Sequence, residues 1–188
     1  MTFDIAEFGM SVLQEKGAYI KDFDVHLKQF AEEMLETMYS NNGIGLAAPQ
    51  VGKSLMICVI DVRSNQDETS HRYIYDGRKV PVEFMMPLIM INPELKLIAD
   101  VQICFEEGCL SLPEHYAEVV RPDEVRVTYL DRDGKAQELH AAGILSTCIQ
   151  HELDHLEGIL FVDHISSMRR NMILRKLKKL KRQNEPVR

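Results

Sequence analysis

Residues 143–156 (GILSTCIQHELDHL) constrain the fold of this chain more than any other stretch. Ile144, Leu145 and Ile149 make the segment apolar, and His151-Glu152-Leu153-Asp154-His155 then sets two imidazoles four residues apart. The pattern predicts a helix over 143–156, ended near Gly158 because glycine readily takes the left-handed conformation that closes a helix. On a helix, positions i and i+4 share a face, so both imidazoles reach one metal ion. Glu152, beside the first of them, can take a proton from water bound to such an ion. Two surface histidines on a polar turn would be the plainer reading, but the helix around them is apolar.

A catalytic centre of this kind takes three protein ligands and keeps a fourth position open for water. Downstream, H-E-x-x-H-x-x-G continues through Gly158, yet the place for a third histidine holds Phe161. The only glutamate after Glu157 is Glu185, in a basic tail, and Asp163 and His164 fit no ligand pattern. The third ligand is therefore expected upstream. Cys109, within Glu107-Gly108-Cys109-Leu110-Ser111, is the candidate, since a thiolate binds metals strongly and Gly108 permits close backbone approach. A lone cysteine is also often just a small buried hydrophobe. A third segment, Gly43-Ile44-Gly45-Leu46-Ala47-Ala48-Pro49-Gln50, is small enough for another chain or ligand to approach closely, and Gln50 offers amide donors. A tight turn after a helix is its alternative reading.

Around these motifs the chain reads as α+β. A helix is expected over 24–39, N-capped by Asp24, with Leu27, Phe30, Ala31, Met34, Leu35 and Met38 at helical spacing and Asn41-Asn42-Gly43 as its stop. Strands are expected at 55–62, 88–91, 101–105 and 116–120. Residues 124–130 and 136–140 flank Asp131-Arg132-Asp133-Gly134, a hairpin turn. Residues 63–87, polar at first and with two prolines, read mainly as an excursion. A last helix, about 165–183, carries an uneven apolar stripe of Ile165, Met168, Met172, Leu174, Leu177 and Leu180. With no linker or repeat, residues 1–188 are expected to form one catalytic domain: β-sheets packed around a central helix carrying the HExxH motif, with a C-terminal helix.

Composition narrows the setting. No apolar run reaches the roughly 18–20 residues of a membrane span. Residues 1–10 hold two acids and no Lys or Arg, which fits neither a signal nor a transit peptide. The four cysteines form no C-x-x-C pair, as expected in a reducing compartment such as the cytoplasm. Net charge is −7, but residues 169–188 carry nine Lys/Arg against one acid, while residues 1–168 carry thirteen against twenty-eight. An acidic body argues against broad duplex DNA binding, and the basic end could still touch phosphate.

Taken together, G-I-G-L-A-A-P-Q, E-G-C-L-S and H-E-x-D-H, in this order and at compatible separations, closely resemble peptide deformylase of the bacterial type. Ile91-Asn92-Pro93-Glu94 and Arg121-Pro122 add to the likeness, which spans roughly residues 10–180. The resemblance implies removal of the formyl group from nascent peptides that begin with N-formylmethionine. It implies a divalent metal held by Cys109, His151 and His155, usually Fe(II), with Zn, Ni and Co chemically admissible. Glu152 would be general base and then acid, and the Gln50 side chain and Leu110 backbone N–H would stabilise the oxyanion. Gly45 would contact the peptide backbone, while Ile44, Ile144 and Cys148 would line the methionine pocket. It also implies docking on the ribosome through the basic C-terminal helix.

Three departures from the family pattern bear on peptide preference: Asn42 where an acid is frequent, Tyr116 where an arginine is frequent, and a long connection at 64–86. Three other classes compete with this reading. A zinc endopeptidase lacks its downstream ligand. A closed structural metal site would need Cys148, three residues before His151 on the same helix face, as a fourth ligand. An RNA-binding protein led by its basic end lacks any RNA-binding motif.

Overall fold

The computed structural model describes residues 2–64, 71–75, 77, 82–98 and 100–184. Helix α1 spans Val25–Ser40, and Asp24 caps it by accepting the Leu27 N–H at 2.9 Å, a contact worth about 1 kcal/mol. Its buried side is Leu27, Ala31, Met34, Leu35 and Met38. Asn42 follows with φ 55°, a left-handed conformation that asparagine accepts more readily than most residues. The small-residue segment, whose alternative reading is a tight turn, forms an edge strand, β1 (Gly45–Ala47), running into a 3₁₀ turn over Ala48–Val51.

Strand β2 (Ile57–Ile60) is buried on both faces. Strand β3 (His71–Tyr75) and the short helix α2 (Val82–Met85) fall within the expected excursion. Here the sequence reading is corrected, because β3 pairs antiparallel with the end of β8 (Ala136–Gly143). The rest of that stretch, 65–70, 76 and 78–81, lies outside the described residues. Strand β4 (Leu88–Leu97) is longer than its apolar run, with a bulge between Ile91 and Glu94. Strands β5 (Gln102–Cys109) and β6 (Leu112–Pro122) also outrun their predicted cores, and β7 (Glu124–Leu130) follows. Helix α3 covers Ile144–Leu156 and helix α4 covers Ser167–Asn184.

Six strands form an antiparallel sheet in the order β1-β2-β4-β7-β8-β3, and β5-β6 is a separate two-stranded sheet. The large sheet separates two helices, and alternation along β2 shows how. Cys58 and Ile60 join Met90, Val127, Leu139, Leu145, Ile149 and Leu153 on the α3 side, whereas Ile57 and Val59 join Met34, Leu35 and Met38 on the α1 side. Nearly all of α3 is buried, its polar residues Ser146, Thr147, Gln150, His151, Glu152 and His155 included, so it is the central helix expected from the sequence. The stripe of α4 is only partly used. Ile173 and Leu177 pack with Leu112, Val119, Phe161 and Val162, while Met168, Met172 and Leu180 stay exposed. Ile173, not Met172, faces the domain because burial follows where Phe161 and β6 sit. No helix among the described residues is long and apolar enough to cross a membrane.

Candidate active site

Helix α3 carries His151 and His155 one turn apart, and the end of β5 brings Cys109 against them. One ligand atom from each of the three lies within 4.8 Å of the others, and Cys109 Sγ is 3.2 Å from His155 Nε2. A metal about 2.0–2.3 Å from each donor needs separations of about 3.3–3.7 Å, so small shifts close the site around an ion. The donor chemistry fits as well. Burial alone would raise the Cys109 thiol, but His155 and His151 beside it hold it well below the usual thiol range, which favours the thiolate that ligates metals.

A line of ion pairs orients the ligands. His151 Nδ1 donates to Glu107 Oε2 at 2.8 Å, which leaves Nε2 for the metal. Glu107 is held in turn by Arg121, with Nε to Oε1 at 2.5 Å and Nη2 to Oε2 at 3.0 Å. Arg121 Nη1 also reaches Asp154 Oδ2 at 2.8 Å, and His164 Nε2 meets the same oxygen at 2.7 Å. Burial pushes the Glu107 carboxyl up, yet His151 and Arg121 outweigh it and bring it down to about 2. Glu107, Arg121 and Asp154 were not singled out from the sequence, although all three sit inside the quoted motifs. Their signal in the sequence was membership of those motifs, which does not say which residue each one pairs with.

Glu152 is 3% exposed, and its Oε2 has no hydrogen-bond partner among the described residues. Burial raises its carboxyl to about 7, against the opposing effect of His151 and His155, so it can exchange a proton near neutrality. Gly45 makes room for it, since a Cβ there would lie 2.2 Å from Glu152 Oε1. Gln50, 2% exposed, accepts the Ala47 N–H on Oε1 at 2.8 Å. That bond aims Nε2 toward Cys109 Sγ, 3.4 Å away. The N-terminal segment ties the same loops together, with Ala6 N–H on the Gln50 carbonyl at 2.8 Å and Phe8 N–H on the Ser111 carbonyl at 2.9 Å.

A cavity of about 680 Å³ opens on this group, and it is lined by every residue expected at the site except the buried His155. Ile44, Gly45, Ile144 and Cys148 stand on its wall with Gln50, Cys109, Leu110, His151 and Glu152. Cys148 stays outside the donor cluster. Its thiol points to the Ile44 carbonyl at 3.6 Å, and burial with the nearby Glu152 carboxylate pushes its pKa up. Among the described residues three donors meet rather than four, which disfavours a closed structural site. Tyr116 lies at the cavity rim, 61% exposed, with its ring over Gly108, where a Cβ would come within 2.5 Å.

The profile of the Polypeptide deformylase family matches residues 2–171. The chain belongs to the peptide deformylase family. It is therefore a hydrolase that removes the N-formyl group from the N-terminal formylmethionine of newly made polypeptides, releasing formate. A peptide deformylase from Mesorhizobium japonicum is 45% identical over 175 residues, 93% of this chain and 90% of the relative. The crystal structure of a peptide deformylase from Legionella pneumophila superposes with a TM-score of 0.81 at 36% identity, covering 100% of both chains. That of a peptide deformylase from Synechococcus elongatus in complex with actinonin superposes with a TM-score of 0.77 at 39% identity, covering 93% of this chain and 85% of that one.

Proposed function

We propose that Cys109, His151 and His155 hold one divalent metal ion, Fe(II) in the native enzyme, and that the residues around it divide the work of deformylation. The observation that carries this reading is the convergence of one thiolate and two imidazoles beside a buried, unpartnered carboxylate on one cavity. Zn, Ni and Co would suit the same donors, and the family resemblance favours iron. Such an ion supplies a Lewis acid for the formyl carbonyl and an acidified water.

The chain's own groups supply the rest. Glu152 Oε2 takes a proton from the attacking water and returns it to the leaving amine. Gln50 Nε2–H and the Leu110 backbone N–H donate to the oxygen of the tetrahedral state, where one such donor is worth about 3–4 kcal/mol. Ile44, Ile144 and Cys148 receive the methionine side chain, and Gly45 lets the peptide backbone approach Glu152 closely. Residues 1–188 act as one catalytic unit in the cytoplasm on nascent N-formylmethionyl chains.

The exposed cations of α4, including Arg175, Lys176, Lys178 and Lys179, form the surface we assign to ribosome docking. Burial of Ile173 and Leu177 on the opposite face supports it, because that leaves the basic face outward. The deciding experiment is release of formate from a formyl-Met tripeptide by anaerobically purified enzyme, with metal analysis of the same sample. One iron per chain and turnover are expected. Turnover without bound metal, or metal bound without turnover, would overturn the assignment.

A further inference from the structure

Strand β4 changes neighbours along its length. Leu88–Ile91 pair with β2, which ends there, and beyond the bulge Glu94–Leu97 pair with β7 alone. Among the described residues no backbone hydrogen bond reaches the other edge of Glu94–Leu97. An unpaired edge of this kind is a template on which a further strand can add.

One face of that edge is apolar. Leu95 and Leu97 stand opposite Val127 and Val125 of β7, which are fully buried in the core on the α3 side, and opposite residues share a face. The two leucines prolong this layer past the point where the domain covers it, and they are 38% and 56% exposed. Exposed Tyr19 and Val120 line a cavity of about 600 Å³ with them, and exposed Ile98 follows Leu97. A contiguous apolar patch on a water-facing surface marks an interaction site. The other face of the strand carries Glu94 and Lys96. Lys96 stands across from Arg126 of β7, a like charge, and among the described residues neither Glu94 nor Lys96 is in an ion pair.

We propose that this edge joins two copies of the chain. The stretch Pro93-Glu94-Leu95-Lys96-Leu97 complements itself when β4 meets a second β4 antiparallel, about a two-fold axis at Leu95. A two-fold axis normal to the sheet keeps each face on its own side. Leu95 then meets the partner's Leu95, and Leu97 meets the partner's Pro93, on the apolar face. On the other face Glu94 meets the partner's Lys96, and Lys96 meets the partner's Glu94. A lysine on an edge commonly blunts it, but in this register each lysine finds a glutamate. The contact uses the same surface on both copies and closes, so it gives a dimer and no filament. The reaction cavity shares no lining residue with the cavity under this edge and lies on another face of α3.

The interface is short, so a dissociation constant on the order of 10–100 µM is expected. Sedimentation equilibrium of the metal-loaded full chain, from about 2 to 500 µM, should show its mass rise from 21.6 kDa toward twice that value. Glu94→Lys and Lys96→Glu each set like charges opposite one another at two symmetric places, and each should weaken the dimer by about tenfold or more. The double variant Glu94→Lys/Lys96→Glu exchanges the charges and should return to within about threefold of the parent. Leu97→Asp should leave monomer throughout. Thermal unfolding of dilute protein and hydrolysis of a formyl-Met tripeptide should match the parent in all four variants. A parent chain that stays monomeric at every concentration, or grows past a dimer, would overturn the proposal. Single charge reversals without effect, or a double variant that does not recover, would overturn the assignment to this edge and register.

Discussion

Replacing Gly45 by alanine should cripple turnover without emptying the metal site. The new Cβ would sit 2.2 Å from Glu152 Oε1, 2.7 Å from Cδ and 2.9 Å from Cγ. An ordinary contact is about 3.4 Å or more, so the carboxylate must retreat by about 1 Å. Gly45 is not among the positive-φ glycines, so alanine fits the backbone and the effect is purely through space. Glu152 is 3% exposed and cannot swing into solvent, so the crowding stays in the site. A misplacement of about 1 Å costs on the order of 10²-fold in rate, or about 2.7 kcal/mol of barrier, and the overpacking costs about 1–3 kcal/mol of stability. Three measurements separate the possibilities: steady-state kinetics on a formyl-Met peptide, metal per chain, and thermal unfolding. The expected result is kcat down about 100-fold with metal content unchanged, because none of the three donors is touched. In a Glu152→Gln background the same substitution should add less than about threefold, since the two changes act on one group. A Gly45→Ala enzyme within about threefold of the parent, or full additivity in the double variant, would refute the reasoning.

The remaining predictions separate ligand, base, support and surface. His151→Ala should lose both metal and activity, whereas Glu152→Ala should keep the metal and lose about 10²-fold or more in kcat; a metal-free Glu152→Ala protein would break the role assignment. Glu107→Ala leaves Arg121 without its main partner and His151 without its orienting acceptor. Isothermal titration should show metal affinity down about 10–100-fold and unfolding should show a loss of about 3–5 kcal/mol, and normal values of both would contradict the support role. Arg175→Glu/Lys178→Glu/Lys179→Glu should abolish salt-sensitive co-sedimentation with ribosomes while formyl-Met tripeptides are still hydrolysed. Unchanged co-sedimentation would dismiss the docking surface. Charge reversal is the cleaner probe here, because cutting the chain before residue 169 would also remove the buried Ile173 and Leu177, worth about 1.5–3 kcal/mol each.

Sequence alone determined the elements whose signals are short-ranged. The Asp24 cap lies three residues from the N–H it accepts, the imidazoles of α3 are four residues apart, and Gly134 completes a turn within a few residues of each strand. Such interactions are formed by neighbours in the chain, so local spacing reports them directly. The same holds for the donor residues, since a thiol and two imidazoles announce their chemistry by type. Tertiary structure decided what depends on partners far along the chain. Strand β3 exists because β8 offers it a hydrogen-bonding edge, and β4 continues past its apolar run because β7 does; neither edge leaves a period in the strand it recruits. Glu107 supports His151 across 44 residues, and Arg121 reaches Asp154 across 33. Whether Gly45 was a turn residue or the space that Glu152 fills could be read only once β1 lay beside α3, because a missing Cβ has meaning only against the atom that takes its place.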